Sequence, residues 1–514
     1  MKLKAAVKKD LLAFLKNHWK FILLSAGYFV SRLIFLDTDF HILEPDEGIY
    51  YGQVNIFSQQ INYTFPLSSI VASWLYSLTN TWGALVHLRL LSVLGGFLVG
   101  VGLYSIGKSI KNQTIAIFSP LLFWLLPLSF FYTRSGTSNM FSLGWAVLSL
   151  GVFIASNKGS EVKNGVLSGI LFVISILAKL SSTIFLFGFL SLYLLDKENF
   201  KKVLSIFVKT VVILLSMSLV ILYVTYGRIL FSSVGVFLHP TYNPELSLSE
   251  SLFKFGWYLS PPVLLLLFIG IAMWFCDTSK RKQSLTLEKG QRIFERLKQV
   301  VGVRKPALPS IVSLLIPSVI SLLLFNPSPE YFLILTPLVA LLGGYVLSRF
   351  SYHLLKVVFI LAIIPWTYTA FMATNHISLR SIKKTVEEIM ANNTYLPIYS
   401  TVDPESLSFY LDQPVSLLSK NALNGGVIIT DVQSTDLTLH SSDQKFLEAR
   451  EVLSLLPDRK KVFTYTDPYN HFPVSPEGNV FTIYLIPSSF SGESSEDVEF
   501  FKPFNTKLHL PNEN

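Results

Sequence analysis

The chain has 514 residues, of which 51% are hydrophobic and only 15% are charged, and its formal net charge is +9. Soluble domains carry about 25% charged residues, so this composition excludes an ordinary soluble protein and predicts an integral membrane protein. The positive charge does not indicate a nucleic-acid partner, because the cations sit between apolar segments and form no continuous face. The single cysteine, Cys276, excludes an intramolecular disulfide.

Long apolar runs recur through the first 372 residues, each near the roughly 20 residues with which a helix crosses the hydrocarbon core. We predict about eleven spans. They lie near residues 20–36, 84–106, 114–131, 140–156, 165–179, 181–195, 203–226, 256–275, 309–325, 330–347 and 355–372. The shorter run 65–78 is predicted to be a helix at the outer interface. The run after the basic MKLKAAVKKD lacks a convincing cleavage site, so we predict a retained anchor.

The distribution of Lys and Arg predicts the orientation, because cytoplasmic loops are enriched in these residues. With the N-terminus inside, the inner loops are basic, and the loop 276–308 alone carries nine cations. The outer loops are poor in cations, and the loop 37–83 has none. We therefore predict a cell-membrane protein with a cytoplasmic N-terminus and an extracytoplasmic C-terminus. The basic loop is predicted to contain a cytoplasmic amphipathic helix.

The last part of the chain, residues 373–514, has a different pattern. Its apolar runs shorten to strand length in PIYST, GGVIITD, KKVFTYT and NVFTIYLI. They alternate with helix-like segments such as DPESLSFYL and SDQKFLEAREVLSLL. The sequence thus predicts an all-α polytopic membrane domain over residues 1–372 and an extracytoplasmic α/β domain over residues 373–514.

Three acids are crowded just after the first apolar run, in HILEPDEGIYYGQVNIF. Glu44, Asp46 and Glu47 lie there without a Lys or Arg near in sequence. One interpretation is structural, with Asp46 as the N-cap of a helix and the other acids solvated. The other is functional, because crowded carboxylates raise one another's pKa and so suit proton transfer.

PDEGIYYGQVNIF is also the first of a series of motifs along the chain. The later ones are VHLRLLSVLGGFLVGVGLYSIGKSI, LPLSFFYTRSGTSNM, SGILFVISILAKLSSTIFLF, NPSPEYFLILTPLVALLGGYVL and DPESLSFYLDQPV. In this order they resemble the GT-C membrane glycosyltransferases, especially the protein O-mannosyltransferases and the bacterial aminoarabinose and related lipid-sugar transferases. The resemblance covers most of the chain. It implies transfer of a sugar from a polyprenyl-phosphate donor to a lipid, protein or glycan acceptor at the outer face of the membrane.

The resemblance also implies roles for single residues. Asp46 is predicted to be the general base that activates the acceptor hydroxyl, with Glu47 as a supporting or metal-coordinating acid. Cations near the outer leaflet would stabilise the leaving phosphate. Arg134 and Lys179 are the first candidates for this role, followed by Arg89.

Other interpretations of these residues stay open. Arg89 and Lys179 could simply extend from helix ends to the lipid headgroups. Tyr50 could line the donor or acceptor groove, or be one of the tyrosines common at membrane interfaces. His41 and Glu44 could join Asp46 around a divalent cation, although their spacing matches no strong metal signature.

Three positions depart from the family pattern. Ile49 stands where many relatives have Arg, Ser138 lies in a stretch where many have Asp, and Glu330 stands where relatives often have Arg or His. The changes at Ile49 and Glu330 remove expected phosphate partners, which leaves the donor class open and also allows an inactive scaffold. The alternative function is a multi-span transporter or flippase, which would place ionisable residues near the bilayer midplane. The predicted spans carry few charges there, and this favours the glycosyltransferase.

Overall fold

The computed structural model describes most of the apolar helices and the core of the C-terminal domain. It covers residues 2–34, 84–156, 159–226, 258–269, 307–324, 332–375, 378–392, 396–401, 404–411, 413–431, 447–456, 461–467 and 479–486, with a few single residues between them. These residues form two compact units, and the first ends at Thr374 and the second begins at Asn375. The predicted domain boundary at residue 372 stays a prediction.

The first unit is helical. Its helices are α1 (Lys2–Leu33), α2 (Ala84–Ser109), α3 (Gln113–Leu125), α4 (Pro127–Tyr132), α5 (Ser138–Ile154), α6 (Glu161–Ala178), α7 (Phe185–Leu195), α8 (Lys197–Tyr226), α9 (Ala307–Leu324), α10 (Thr336–Arg349) and α11 (His353–Asn375). Short 3₁₀ turns, Leu180–Ile184 and Leu333–Leu335, precede α7 and α10, and residues 261–269 are also helical.

Several of these helices suit a bilayer. By length and composition, four of those described could cross a membrane: Val86–Ser109, Glu161–Ala178, Lys197–Ile221 and His353–Phe371. The α2 segment is 67% buried, whereas the α8 segment is only 11% buried and exposes apolar side chains such as Val212, Ile213 and Val220. An apolar surface of this kind is stable against lipid. The chain is therefore a membrane protein, and the number of about eleven spans stays a prediction.

The centre of the bundle is the contact of α2 with α5. Gly95 and Gly102 of α2 face Gly144 and Gly151 of α5, and a Cβ atom on any of the four would meet the backbone of the opposite helix. Small residues allow helix backbones to approach closely, which gives van der Waals packing where the hydrophobic effect is absent. Further along, α5 packs on α6, α6 on α8, and α3 on α10.

We expect Gly95→Ala to lower the free energy of unfolding by about 1–3 kcal/mol. The added methyl group would clash with the backbone of Met140 and Phe141, which cannot move away as a flexible side chain could. The measurement is the unfolding temperature of the detergent-purified protein. Gly27→Ala on α1 is the matched control, since a Cβ there has no neighbour within 4 Å. The control should be neutral or slightly stabilising. Equal effects of the two changes would contradict the close helix contact.

The second unit is an α/β domain. Helix α12 (Ser378–Asn392) is followed by β1 (Ile398–Ser400), α13 (Pro404–Leu411), β2 (Val415–Leu417), β3 (Gly426–Asp431), α14 (Leu447–Leu455), β4 (Lys461–Asp467) and β5 (Asn479–Ile486). The sheet has the order β2-β1-β3-β5-β4. The β1 strand is parallel to β2 and β3, and β5 is antiparallel to β3 and β4.

Alternation along the strands gives this sheet two apolar faces. Val427 and Ile429 pack on α12 and α13 on one face, whereas Ile428 packs against α14 on the other. The four predicted strands and the two predicted helical segments are present. The prediction missed β2, which is only three residues long and has no fully buried residue.

Other details also differ from the sequence prediction. The span near 114–131 is broken into α3 and α4, because Pro127 has no N–H to continue the helix. In the predicted interfacial segment 65–78, the described residues Leu67, Val71, Ala72 and Leu75 are helical. The predicted amphipathic helix in the loop 276–308 lies outside the described residues.

Candidate functional site

Three arginines lie together at one end of the bundle. Arg32 is at the end of α1, Arg89 is in the first turns of α2, and Arg134 is in the loop between α4 and α5. All three are buried, with exposures of 2%, 0% and 1%. Burial, and then the charges of Arg89 and Arg32, lower the pKa of Arg134 to about 9. The arginine cluster is therefore a site of concentrated positive charge.

Arg89 and Arg134 hold the chain where it leaves α1. The Arg134 Nη1 donates to the carbonyl oxygens of Arg32 at 3.0 Å and Ile34 at 2.7 Å. The Arg89 Nη1 donates to the carbonyl of Leu36 at 2.8 Å. The last carbonyls of a helix lack partners within it and attract cations. Both guanidinium groups thus fix the start of the segment that leads toward Asp46.

Arg32 connects α1 to the break between α3 and α4. Its Nε donates to the Thr133 hydroxyl at 2.8 Å, and its Nη2 donates to the Trp124 carbonyl. The break leaves carbonyls of α3 without helical N–H donors, and these must find other partners inside a membrane. The neighbouring Leu125 carbonyl accepts from the Thr367 hydroxyl at 2.5 Å.

The sequence prediction did not include Arg32. The signal available was a cation near the outer end of the first apolar run, but nothing in the sequence shows that it meets Thr133 and Trp124. The guanidinium also lies over the Phe130 ring, 3.8 Å from its centroid. Such a contact adds to the stability of a desolvated cation.

The loop between α4 and α5 presents unpaired hydroxyl groups beside the arginine cluster. Ser135 Oγ and Thr137 Oγ1 are buried, and among the described residues neither has a hydrogen-bond partner. The loop backbone is held in place, since Ser92 Oγ donates to the Thr137 carbonyl at 3.0 Å. Buried polar atoms are normally paired, so these two hydroxyls need partners that the described residues do not supply.

Lys179 lies near the same loop. It adopts an extended conformation between α6 and the following 3₁₀ turn, and its Nζ donates to the Asn139 side chain in the first turn of α5. The two residues line a small cavity of about 20 Å³, together with Ser142, Ser182 and Phe185. That volume holds about one water molecule. Asn139 thus links Lys179 to the loop that carries Arg134.

The fold of the chain is shared with solved structures. No protein-family model and no curated protein sequence matches the chain. Its structure is similar to ArnT from Cupriavidus metallidurans bound to undecaprenyl phosphate, with a TM-score of 0.55 and 14% identity over 93% of this chain and 100% of ArnT. The chain has the GT-C fold. This confirms the prediction made from the motif series.

Two further structures support the GT-C fold. ArnT in the apo state gives a TM-score of 0.53 at 14% identity, over 94% of this chain and 99% of ArnT. The oligosaccharyltransferase of Archaeoglobus fulgidus, tethered to an acceptor peptide, gives 0.50 at 12% identity, over 89% of this chain and 74% of that enzyme.

Within the GT-C fold, the predicted site residues fall into two groups. Arg89, Arg134 and Lys179 are described and lie at one end of the bundle, in contact with the end of α1 or the start of α5. Asp46, Glu47 and Tyr50 lie outside the described residues, as do Ile49 and Glu330. Among the described residues no group of three or more His, Cys, Asp or Glu side chains could hold a metal ion, and His41 and Glu44 lie outside them. The predicted roles of all these residues stay predictions.

Proposed function

We propose that this protein is a membrane glycosyltransferase that moves a sugar from a polyprenyl-phosphate carrier to an acceptor hydroxyl. The observation that carries the proposal is the likeness to ArnT over nearly the whole of both chains. The arginine cluster adds a chemical reason, because three buried cations at one end of the bundle favour an anionic substrate. The orientation predicted from the basic loops places this end at the outer face.

The proposed reaction needs a base and a stabilised leaving group. Asp46 accepts the proton of the acceptor hydroxyl, whose oxygen attacks the anomeric carbon of the donor. The bond between that carbon and the phosphate oxygen breaks, and the electron pair leaves with the lipid phosphate. Attack opposite the leaving group inverts the anomeric configuration. Glu47 supports Asp46 by orienting it or by binding a divalent cation.

The cations have two different proposed tasks. Arg89 and Arg134 act as positioning residues, since their hydrogen bonds to the carbonyls of Arg32, Ile34 and Leu36 fix the base of the segment that carries Asp46. Asp46 follows Leu36 by ten residues, so the chain keeps its carboxylate within about 35 Å of that anchor. Lys179 is the proposed partner of the donor phosphate, because its Nζ donates to Asn139 in the first turn of α5 and thus holds a cation beside the loop that carries Arg134.

The proposal names the sugar, the acceptor and the topology only by class. The sugar is a hexose or a pentose, the acceptor is a lipid, a protein or a glycan, and the C-terminal α/β domain helps to select it. Tyr50 lines the donor or acceptor groove. The N-terminus is cytoplasmic and the C-terminal domain extracytoplasmic.

The test is transfer by the purified full-length protein. It is incubated with a panel of polyprenyl-phosphate sugars, each carrying a radiolabelled hexose or pentose, and with a lipid extract or peptide acceptor. We expect label to move from one donor to an acceptor and free polyprenyl phosphate to appear in equal amount. Absence of transfer from every donor, together with flux of a labelled substrate across protein-containing vesicles, would instead identify a transporter or flippase.

A further inference from the structure

A second pocket lies away from the arginine cluster, between α1 and the turn that joins α2 to α3. Its volume is about 440 Å³, within the range of small-molecule sites. Lys16 and Lys20 on α1 and Lys108 at the end of α2 line it, and none of the described residues that line it is Asp or Glu. The described lining of the pocket therefore carries a net positive charge.

Aromatic side chains form an ordered wall of this pocket. The Phe21 and Tyr104 rings are stacked with centroids 4.3 Å apart, and both residues are buried. The Tyr104 hydroxyl lies 2.7 Å from Nδ1 of His18. Lys108 Nζ lies over the Tyr104 ring, 5.8 Å from its centroid, and donates to the Gln113 side chain at 3.2 Å. The cations are thus arranged around a packed surface.

The local electrostatics favour an anion. Burial, followed by the nearby charge of Lys108, lowers the pKa of His18, as expected where positive charge is already present. The helix α3 begins at Gln113, so the positive end of its dipole adds to the potential.

The pocket lies toward the opposite end of the bundle from the arginine cluster. Lys108 follows Arg89 on the same helix by nineteen residues, which is a rise of about 28 Å. The hydrocarbon core of a bilayer is about 30 Å thick. The two sites are therefore separated by about one membrane thickness, as expected for a pocket at the headgroups of the other leaflet.

We propose that this pocket binds the phosphate headgroup of an anionic phospholipid. Basic pockets beside transmembrane helices are suited to such headgroups. Apolar side chains on the same stretch of α1 provide a surface for the acyl chains, since Leu15, Trp19 and Leu23 are 41%, 55% and 65% exposed. A soluble phosphate ester has the same headgroup chemistry but makes no use of this apolar surface. The proposal does not depend on the glycosyltransferase reaction.

The test compares lipid binding by two triple variants of the full-length protein. Lys16→Gln, Lys20→Gln and Lys108→Gln are combined in the pocket variant. The matched control combines Lys163→Gln, Lys197→Gln and Lys201→Gln, which removes three exposed lysines on α6 and α8 that do not line the pocket. Native mass spectrometry in detergent measures binding of phosphatidylglycerol and phosphatidylcholine, and the unfolding temperature is recorded with each lipid.

We expect the wild type to bind phosphatidylglycerol in preference to phosphatidylcholine and to unfold at a higher temperature in its presence. The pocket variant should bind phosphatidylglycerol at least about tenfold more weakly, since each lysine near an anionic surface contributes roughly a fivefold effect. The control should stay within about threefold of the wild type. Without lipid, all three proteins should unfold at similar temperatures, because the changed lysines are exposed.

Two results would overturn the proposal: an unchanged affinity in the pocket variant, or an equal loss in the control, which would mean general surface attraction. Inorganic phosphate and glycerol 3-phosphate are tested in parallel. If either raises the unfolding temperature as much as phosphatidylglycerol does, and only with the three pocket lysines present, the lipid assignment is wrong and the ligand is a soluble phosphate.

Discussion

Replacing Asp46 with Asn is expected to lower the rate of sugar transfer by about 10²–10⁴-fold, the usual contribution of a general base. The amide keeps the size of the side chain but cannot accept the acceptor's proton. The measurement is the initial rate of transfer with the donor found active in the panel, at saturating donor and acceptor. The loss should appear in kcat, because the proton moves only in the transition state.

Glu44→Gln is the matched control for this change, since it removes a charge two residues away in the same segment. We expect it to leave the rate within a few-fold of the wild type, and Glu47→Gln to give an intermediate loss. The Asp46→Asn variant should still bind the donor. This binding is measured as the rise in the unfolding temperature of the protein when the donor is added. Transfer at the wild-type rate by Asp46→Asn would show that another group is the base, while the transferase itself would still stand.

Replacing Arg134 with Met is expected to lower the stability of the protein by about 3–5 kcal/mol. Two backbone carbonyls, those of Arg32 and Ile34, would lose a charged donor, and each such hydrogen bond contributes about 1.5–3 kcal/mol. Methionine fills a similar volume, so loss of packing contributes little. The unfolding temperature of the purified protein measures the effect, and transfer activity should fall with it, because the start of the segment bearing Asp46 is released.

Arg349→Met is the control for Arg134, because Arg349 is exposed at the end of α10 and donates to the Tyr345 hydroxyl. Its effect should be within about 0.5 kcal/mol. Arg134→Lys separates charge from geometry, since lysine keeps the charge but lacks the planar guanidinium group, whose Nη1 donates to both carbonyls. An unfolding temperature unaffected by Arg134→Met would contradict the positioning role. A loss of activity in Arg134→Lys without a loss of stability would indicate direct contact with the donor phosphate.

The proposed positioning role of Arg89 and Arg134 changes how the departure at Ile49 is interpreted. Where the resemblance leads us to expect Arg, this chain has an apolar residue, so the proposed donor phosphate needs another cation. Lys179 is the described candidate, because it lies beside the loop that carries Arg134 and its Nζ donates to the Asn139 side chain. The hydrogen bond of Lys179 to Asn139 also bears on the second departure from the family pattern, at Ser138. In the stretch around Ser138, where many relatives have Asp, Asn139 provides an oxygen that orients the lysine without cancelling its charge.

The sequence could predict the parts of this protein that depend on local patterns. Apolar runs of membrane length predicted the helices, because a chain in lipid must satisfy its backbone within each span. Short alternating runs predicted four of the five strands, and β2 was missed because three half-buried residues have too little periodicity to be recognised. The order of weak motifs predicted the GT-C fold, which the likeness to ArnT bears out.

Only the tertiary structure decided which side chains meet. Arg32 and Thr133 are 101 residues apart, and Arg134 and Ile34 are 100 apart, so no spacing rule connects them. The sequence alone determined a cation-poor acidic loop after the first span and a few cations at helix ends. The fold determined that two of those cations, Arg89 and Arg134, hold the backbone at the start of that loop. Buried carbonyls at a helix end need hydrogen-bond donors, and the packed bundle provides them from residues distant in sequence.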